Sequence, residues 1–237
     1  VVNYIAPIGT DNCAGVTTTQ IDGLASGSLF PVGNTTNTFE VVDAAGNKTS
    51  CSFTVTVADA ELPTISAVNI TVNADNGACA ATNVNLGTPT TGDNCGVSGT
   101  SNDGLASYPV GTTTVNWTVT DIHGNTNSTT QTVTVVDNQN PTISIGNVTV
   151  NADNGACAAT NVNLGTPTTG DNCGVQSTSN DGTASYPVGT TTVNWTVTDI
   201  HGNTGTTTQT VTVIDNQNPT IACPADVTVN ADNGSCA

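Results

Sequence analysis

Eight cysteines and eighteen acidic side chains carry most of the chemistry that this sequence can offer. The cysteines fall in four recurring positions. Cys79, Cys157 and Cys236 follow an Asp-Asn-Gly turn, and Cys13, Cys95 and Cys173 follow Asp-Asn. Cys223 precedes a first strand and Cys51 lies in a last one. No Cys-x-x-Cys pair occurs, so disulfides are favoured over a four-cysteine metal site. The two complete copies of the surrounding sequence lack the Cys51 and Cys223 positions together and keep the other two. Joint loss marks the missing two as partners. The retained two are then expected to pair within each copy, as Cys79–Cys95 and Cys157–Cys173. Each such bridge spans 16 residues and would contribute about 3 kcal/mol in the chain-entropy account. Cys13, Cys51, Cys223 and Cys236 are expected to find partners outside these 237 residues.

The carboxylates cluster at three junctions: Asp59-Ala-Glu-Leu-Pro63, Asp137-Asn-Gln-Asn-Pro141 and Asp215-Asn-Gln-Asn-Pro219. Carboxylate, amide and carbonyl oxygens are hard ligands suited to calcium. Asp59, Glu61, Asp137 and Asp215 are therefore candidate calcium ligands, with Asp75, Asp93, Asp153 and Asp171 as donors from neighbouring turns. The plainer reading of each junction is a solvated hinge stiffened by proline. Asp121-Ile-His123 and Asp199-Ile-His201 read as strand-to-strand turns rather than ligand pairs, because Gly-Asn follows and the first copy has Asp43-Ala-Ala45 there. No Gly-x-Ser-x-Gly elbow occurs, and no catalytic role is expected.

These residues sit on a repeated framework. Tyr108–Thr126 recurs letter for letter as Tyr186–Thr204, and Trp117 and Trp195 lie 78 residues apart. Val115, Trp117 and Val119 alternate with Thr and Asn, which is the period-two pattern of a half-buried strand. The fixed period divides the chain into 1–58 (the back of a first repeat), 59–137 and 138–215 (complete repeats) and 216–237 (the start of a fourth). Within 59–137, strands are expected at Ile65–Val72, Cys79–Leu86, around Trp117 and at Gln131–Val136, with Val133 and Val135 facing inward. Phe53, Val55 and Val57 should share one face of the first repeat's last strand. Thr88–Gly92 reads as a loop. Six or seven short strands per repeat and no helical period predict an all-β fold of tandem β-sandwich domains. Beginning and ending in mid-repeat, the chain is expected to be a segment of something longer.

The net charge is −17, from one basic residue against eighteen acidic ones. Such a polyanion will not hold nucleic acid phosphate or dock on anionic lipid. No run of 18 apolar residues forms a membrane span. Aromatic residues make up only 3% and methionine is absent, so each core is thin and needs staples. The cysteines point to an oxidising, extracytoplasmic setting.

Cys223-Pro-Ala-Asp226, Asp93-Asn-Cys-Gly96, Phe30-Pro-Val-Gly33, Asp43-Ala-Ala-Gly-Asn47 and Cys51-Ser-Phe-Thr-Val-Thr-Val57 resemble the hyalin repeat (HYR) domain over essentially the whole chain. The resemblance implies an immunoglobulin-like fold arranged end to end, a tandem extracellular setting and an adhesive role. It brings no catalytic residues. By analogy, large secreted adhesins of gliding bacteria are the expected context. Two functions follow: a stalk segment giving reach and cell-surface attachment, or a multivalent module whose surface recognises glycan or protein. Expected partners are further repeats of the same chain and surface glycans or proteins. Near-identical copies favour the stalk or multivalent weak contact.

Overall fold

The computed structural model describes residues 1–234, and Cys236 lies outside the described residues. Strands are the only regular elements among them. The first repeat holds β1 (Thr17–Asp22), β2 (Gly33–Val42) and β3 (Lys48–Val57). The second holds β4 (Thr64–Ser66), β5 (Ile70–Asn73), β6 (Ala80–Thr82), β7 (Thr90–Gly92), β8 (Val97–Asn102), β9 (Ser107–Pro109), β10 (Gly111–Asp121) and β11 (Thr126–Val136). The third repeats that plan with β12 (Thr142–Ser144), β13 (Val148–Asn151), β14 (Ala158–Thr160), β15 (Thr168–Gly170), β16 (Val175–Asn180), β17 (Ser185–Pro187), β18 (Gly189–Asp199) and β19 (Thr204–Ile214). The fold divides into two compact units. One comprises Val1–Ile70, Asn85–Leu105 and Thr113–Val133, and the other Thr71–Val84, Ala106–Thr112 and the chain from Thr134.

The third repeat lies wholly in the second unit and shows how the core is made. A four-stranded sheet runs β13-β19-β18-β16, with two-stranded sheets β12-β15 and β14-β17 beside it. β13 joins β19 in parallel, while β18 pairs antiparallel with both β19 and β16. The alternation along β18 buries Val193, Trp195 and Val197. Val211 and Val213 of β19 join them, and Ala152, Ala159 and Tyr186 complete the buried cluster. Ile143, Ile145, Val150, Val162 and Leu164 pack against it from the short strands and loops.

One polar side chain sits inside this apolar layer. Gln209 is 0% exposed. Its Oε1 accepts from the indole N–H of Trp195 at 3.0 Å. Its amide N–H groups donate to the carbonyls of Gly146 at 2.6 Å and Leu164 at 2.8 Å. A buried amide is tolerated only when its groups find partners, and here one glutamine serves three elements. The first unit repeats the device: Gln131 accepts from Trp117 at 2.9 Å and donates to the carbonyls of Val68 and Leu86. The first repeat fills the same space with rings. Tyr4 meets Phe30, Phe39 and Phe53 edge-on, with centroids 6.4, 6.3 and 4.9 Å away. Phe53, Val55 and Val57 share the inner face of β3, as their spacing predicts.

The strands differ from the sequence expectation in instructive places. Each complete repeat has eight strands. The stretch expected as one strand, Ile65–Val72, is two, β4 and β5, with Ala67–Asn69 between them. The third repeat shows why: β12 pairs with β15 while β13 pairs with β19, so the chain changes sheets on the way. The Gly146 carbonyl freed at that crossing is the one that Gln209 binds. The expected Cys79–Leu86 strand shrinks to β6 because Asn83 takes a left-handed backbone, φ 53°, which stops the ladder. Thr90–Gly92, expected in a loop, forms β7 against β4.

The middle of β10 is clamped by a loop. Asp103 accepts from the backbone and side-chain N–H groups of Asn116, both at 2.7 Å, and Asp181 does the same with Asn194. The Asn116 side chain, then its backbone N–H, holds the Asp103 carboxyl below its ordinary value, and Asn194 does so for Asp181.

Two predictions follow from this packing. Gln209→Leu leaves the indole N–H of Trp195 and two carbonyls without partners. It should cost about 3 kcal/mol, read by denaturant unfolding of the Trp195 signal in a Trp117→Phe background. A depressed folded-state pKa stabilises above the ordinary carboxylate value of about 3.9 and is lost as pH falls through the folded value. The stability difference between the native chain and Asp103→Asn plus Asp181→Asn should therefore persist from neutrality down to that range. It should shrink below it, as denaturant midpoints at stepped pH will report.

Candidate functional site

The residues with chemical capacity gather where one repeat meets the next. In the second unit the junction residue Asp137 is 5% exposed and the turn residue Asp199 is 0% exposed. Asp171 comes from the loop between β15 and β16. Carboxylate oxygens of these three lie within 4.8 Å of one another. Like charges at that spacing repel by about 3 kcal/mol per pair at an effective dielectric near 20. Hydrogen bonds hold each in place. Asp137 Oδ1 accepts from the Asn172 side chain at 3.1 Å and from the Gln139 backbone at 3.2 Å. Its Oδ2 lies 3.0 Å from His201 Nδ1. Asp171 Oδ2 accepts from the N–H groups of Cys173 and Gly174, both at 2.8 Å. Asp199 closes its own turn, accepting from His201 and Asn203 N–H at 2.8 Å and from the Asn203 side chain at 2.7 Å. Gly202 makes that turn practicable with φ 92°.

The first unit builds the same arrangement from Asp59, Asp93 and Asp121. His123 Nδ1 lies 3.1 Å from Asp59 Oδ2, and Asp93 accepts from Cys95 and Gly96 N–H. Burial works to raise the Asp121 and Asp199 carboxyls, but hydrogen bonds from Asn125 and Asn203 and nearby backbone N–H groups outweigh it and hold both low. In the first repeat, Asp11 and Asp43 line one groove with Cys13, and Asp43 closes its turn through Asn47 as Asp121 does through Asn125.

Of the four junction candidates, Asp59 and Asp137 enter these clusters, whereas Glu61 and Asp215 are exposed and belong to neither. Asp93 and Asp171 come from the neighbouring turns named as further donors. Asp75 and Asp153 are instead occupied locally, accepting from Thr82 and Thr160. Asp121 and Asp199 form the expected turns, and those turns also deliver them to the clusters. A side chain's duty in its own turn conceals its second position in sequence. A Cys, His and Asp group also meets at the first two junctions: Asp59 with Cys95 and His123, and Asp137 with Cys173 and His201. Burial, followed by the charges of Asp59, Asp93 and Asp121, pushes the Cys95 thiol up, which keeps it protonated. The Cys173 sulfur is committed elsewhere.

That commitment corrects the disulfide assignment. Cys79 bonds to Cys173, with Cα atoms 4.7 Å apart and a sequence separation of 94, while Cys95 and Cys157 are free. The expected Cys79–Cys95 and Cys157–Cys173 bridges are not formed. The reason lies in the long strand. The Cys157 carbonyl accepts from Val188 N–H, just before β18 begins. Cys173 sits beside Asp171, which meets Asp199 at the far end of β18. Eleven strand residues span about 35 Å, far beyond disulfide reach. The two retained cysteine positions do partner, but from one repeat to the next. Closing a 94-residue loop contributes about 4.5 kcal/mol in the chain-entropy account.

Other contacts reinforce this join. Gln139 accepts from Gly77 N–H at 2.7 Å and donates to the Asp75 carbonyl at 3.0 Å, gripping the Asp-Asn-Gly turn from both sides. Asn172 donates to the Ala78 carbonyl at 2.9 Å. Peptide mapping of the unreduced chain should recover one cross-linked peptide containing Cys79 and Cys173. A Cys157–Cys173 peptide would contradict the arrangement.

A Hyalin from Strongylocentrotus purpuratus is 34% identical over 241 residues, covering 95% of this chain and 20% of that protein. A Hyalin from Lytechinus variegatus is 33% identical over 248 residues, covering 96% of this chain and 46% of that protein. The chain thus spans a fifth to about half the length of these relatives. Among solved structures, mouse cadherin-23 EC22-24 overlaps loosely, with TM-score 0.38 and 16% identity over 90% of this chain and 92% of that one. Drosophila N-cadherin EC1-4 gives TM-score 0.39 and 10% identity over 84% of this chain and 66% of that one. The HYR domain profile matches residues 1–57 and again 58–135. The chain belongs to the HYR domain family.

Proposed function

We propose that this chain is a stalk segment of an extracellular, tandem-repeat surface fibre, giving reach and attachment rather than catalysis. The observation that carries the reading is the Cys79–Cys173 bridge from one repeat to the next. A disulfide needs an oxidising compartment to persist, and one placed across a junction strengthens an array more than a single domain. Membership of the HYR family and likeness to proteins named Hyalin support the same reading. In a longer array with this register, Cys157 meets the Asp-Asn-Cys loop of a following repeat, because Thr149–Val175 is identical to Thr71–Val97. Each join would then be stapled in turn. The acidic, threonine-rich exterior keeps neighbouring fibres soluble and apart.

Electron microscopy of the intact parent protein tests this. An extended, beaded fibre on the cell exterior is expected, with its length set by repeat number. A compact particle, or a cytoplasmic protein with reduced cysteines, would overturn it.

A further inference from the structure

We propose that the junctions at Asp59 and Asp137 each bind one hard divalent cation, calcium by its ligand chemistry, through Asp137, Asp171 and Asp199 in the second unit and Asp59, Asp93 and Asp121 in the first. Convergent carboxylates alone are weak grounds, since exposed acidic groups gather without ions. Here two further observations point to a ligand. Asp171 Oδ1 and Asp93 Oδ1 are buried and accept no hydrogen bond, and Asn172 Oδ1 is buried and unpartnered at the same junction. Buried oxygens in proteins normally have partners. An oxygen orphaned identically at two junctions, among carboxylates within 4.8 Å, has the address of a cation ligand. The second observation is the want of any protein counter-charge. Lys48 is the sole Lys or Arg of the sequence and is paired with Glu40. At each cluster the nearest basic group is one histidine, held by Asp59 or Asp137 alone.

The ligand chemistry selects the ion. Carboxylate and amide oxygens suit calcium, which takes six to eight oxygens and accepts water for those the protein omits. A softer metal would require the sulfur and imidazole of the neighbouring group. In the second unit that sulfur is in a disulfide. The three carboxylates come from the junction, the β15–β16 loop and the turn after β18, so one ion would fasten three separate segments beside the Cys79–Cys173 bridge.

The test uses the whole chain, stripped with chelator and titrated with calcium chloride in a calorimeter. Two equivalents are expected. Asp171→Asn and Asp93→Asn, which keep shape and remove charge, should each lose one equivalent, while the exposed Asp22→Asn should keep both. If a variant fails to fold, the native chain still answers. Its thermal midpoint should rise with millimolar calcium chloride and not with potassium chloride of equal ionic strength. No heat and an unchanged midpoint would overturn the site. So would a response to zinc alone that is lost in Cys95→Ser, which would assign the first junction to Asp59, Cys95 and His123. The fibre reading plays no part in this test, so a metal-free chain would leave it standing.

Discussion

Eighteen acidic side chains face a single Lys or Arg in this sequence, so Lys and Arg ion pairs cannot hold it together. N–H donors take over that task. Asp43, Asp121 and Asp199 are gripped by an asparagine four residues on, through both its backbone and its side chain. Asp103 and Asp181 are gripped the same way across thirteen residues. Hydrogen bonds to charged acceptors are stronger than neutral ones, and a short amide does not carry the entropy cost of a long lysine. The exposed Lys48–Glu40 pair, by contrast, contributes little. Asparagine is in effect the counter-residue of this fold, and turns that would otherwise be flexible become fixed corners.

Fixed corners matter because the core is narrow. Valine, one tryptophan and one tyrosine per complete repeat cover a single layer between sheets. The Gln209 and Gln131 amides tie that layer to crossing chains that have left one sheet and not yet joined the next. Polar networks of this kind specify one arrangement where apolar packing alone would leave several. The first repeat reaches a comparable result with four rings and an O–H bond from Tyr4 to the Leu24 carbonyl at 2.7 Å.

The long strand of each complete repeat was legible because Val, Trp and Val alternate with Thr and Asn over enough residues to reveal a face. β8 and β16 were not, since Val97–Asn102 and Val175–Asn180 are almost wholly exposed and have no apolar rhythm. They are strands because β10 and β18 offer them backbone partners, a fact of tertiary structure. The cysteine positions that pair were readable from which were lost together. Which copies they join was not, because sequence separation does not say at which end of a strand a residue lies. The junction aspartates were visible by composition, and only folding showed that Asp121 reaches Asp59 and that Asp199 reaches Asp137.

The bridge between successive repeats also changes what tension does to the chain. A pull on the backbone outside Cys79 and Cys173 passes through a sulfur–sulfur bond and bypasses the chain between them, a sequence separation of 94. Stretched out, that length would measure about 320 Å. While the bond is intact it stays hidden, however hard the strands are drawn. The enclosed strands can then unravel without lengthening the stretch of chain that the bond closes. Reduction would turn the same sequence into an extensible one.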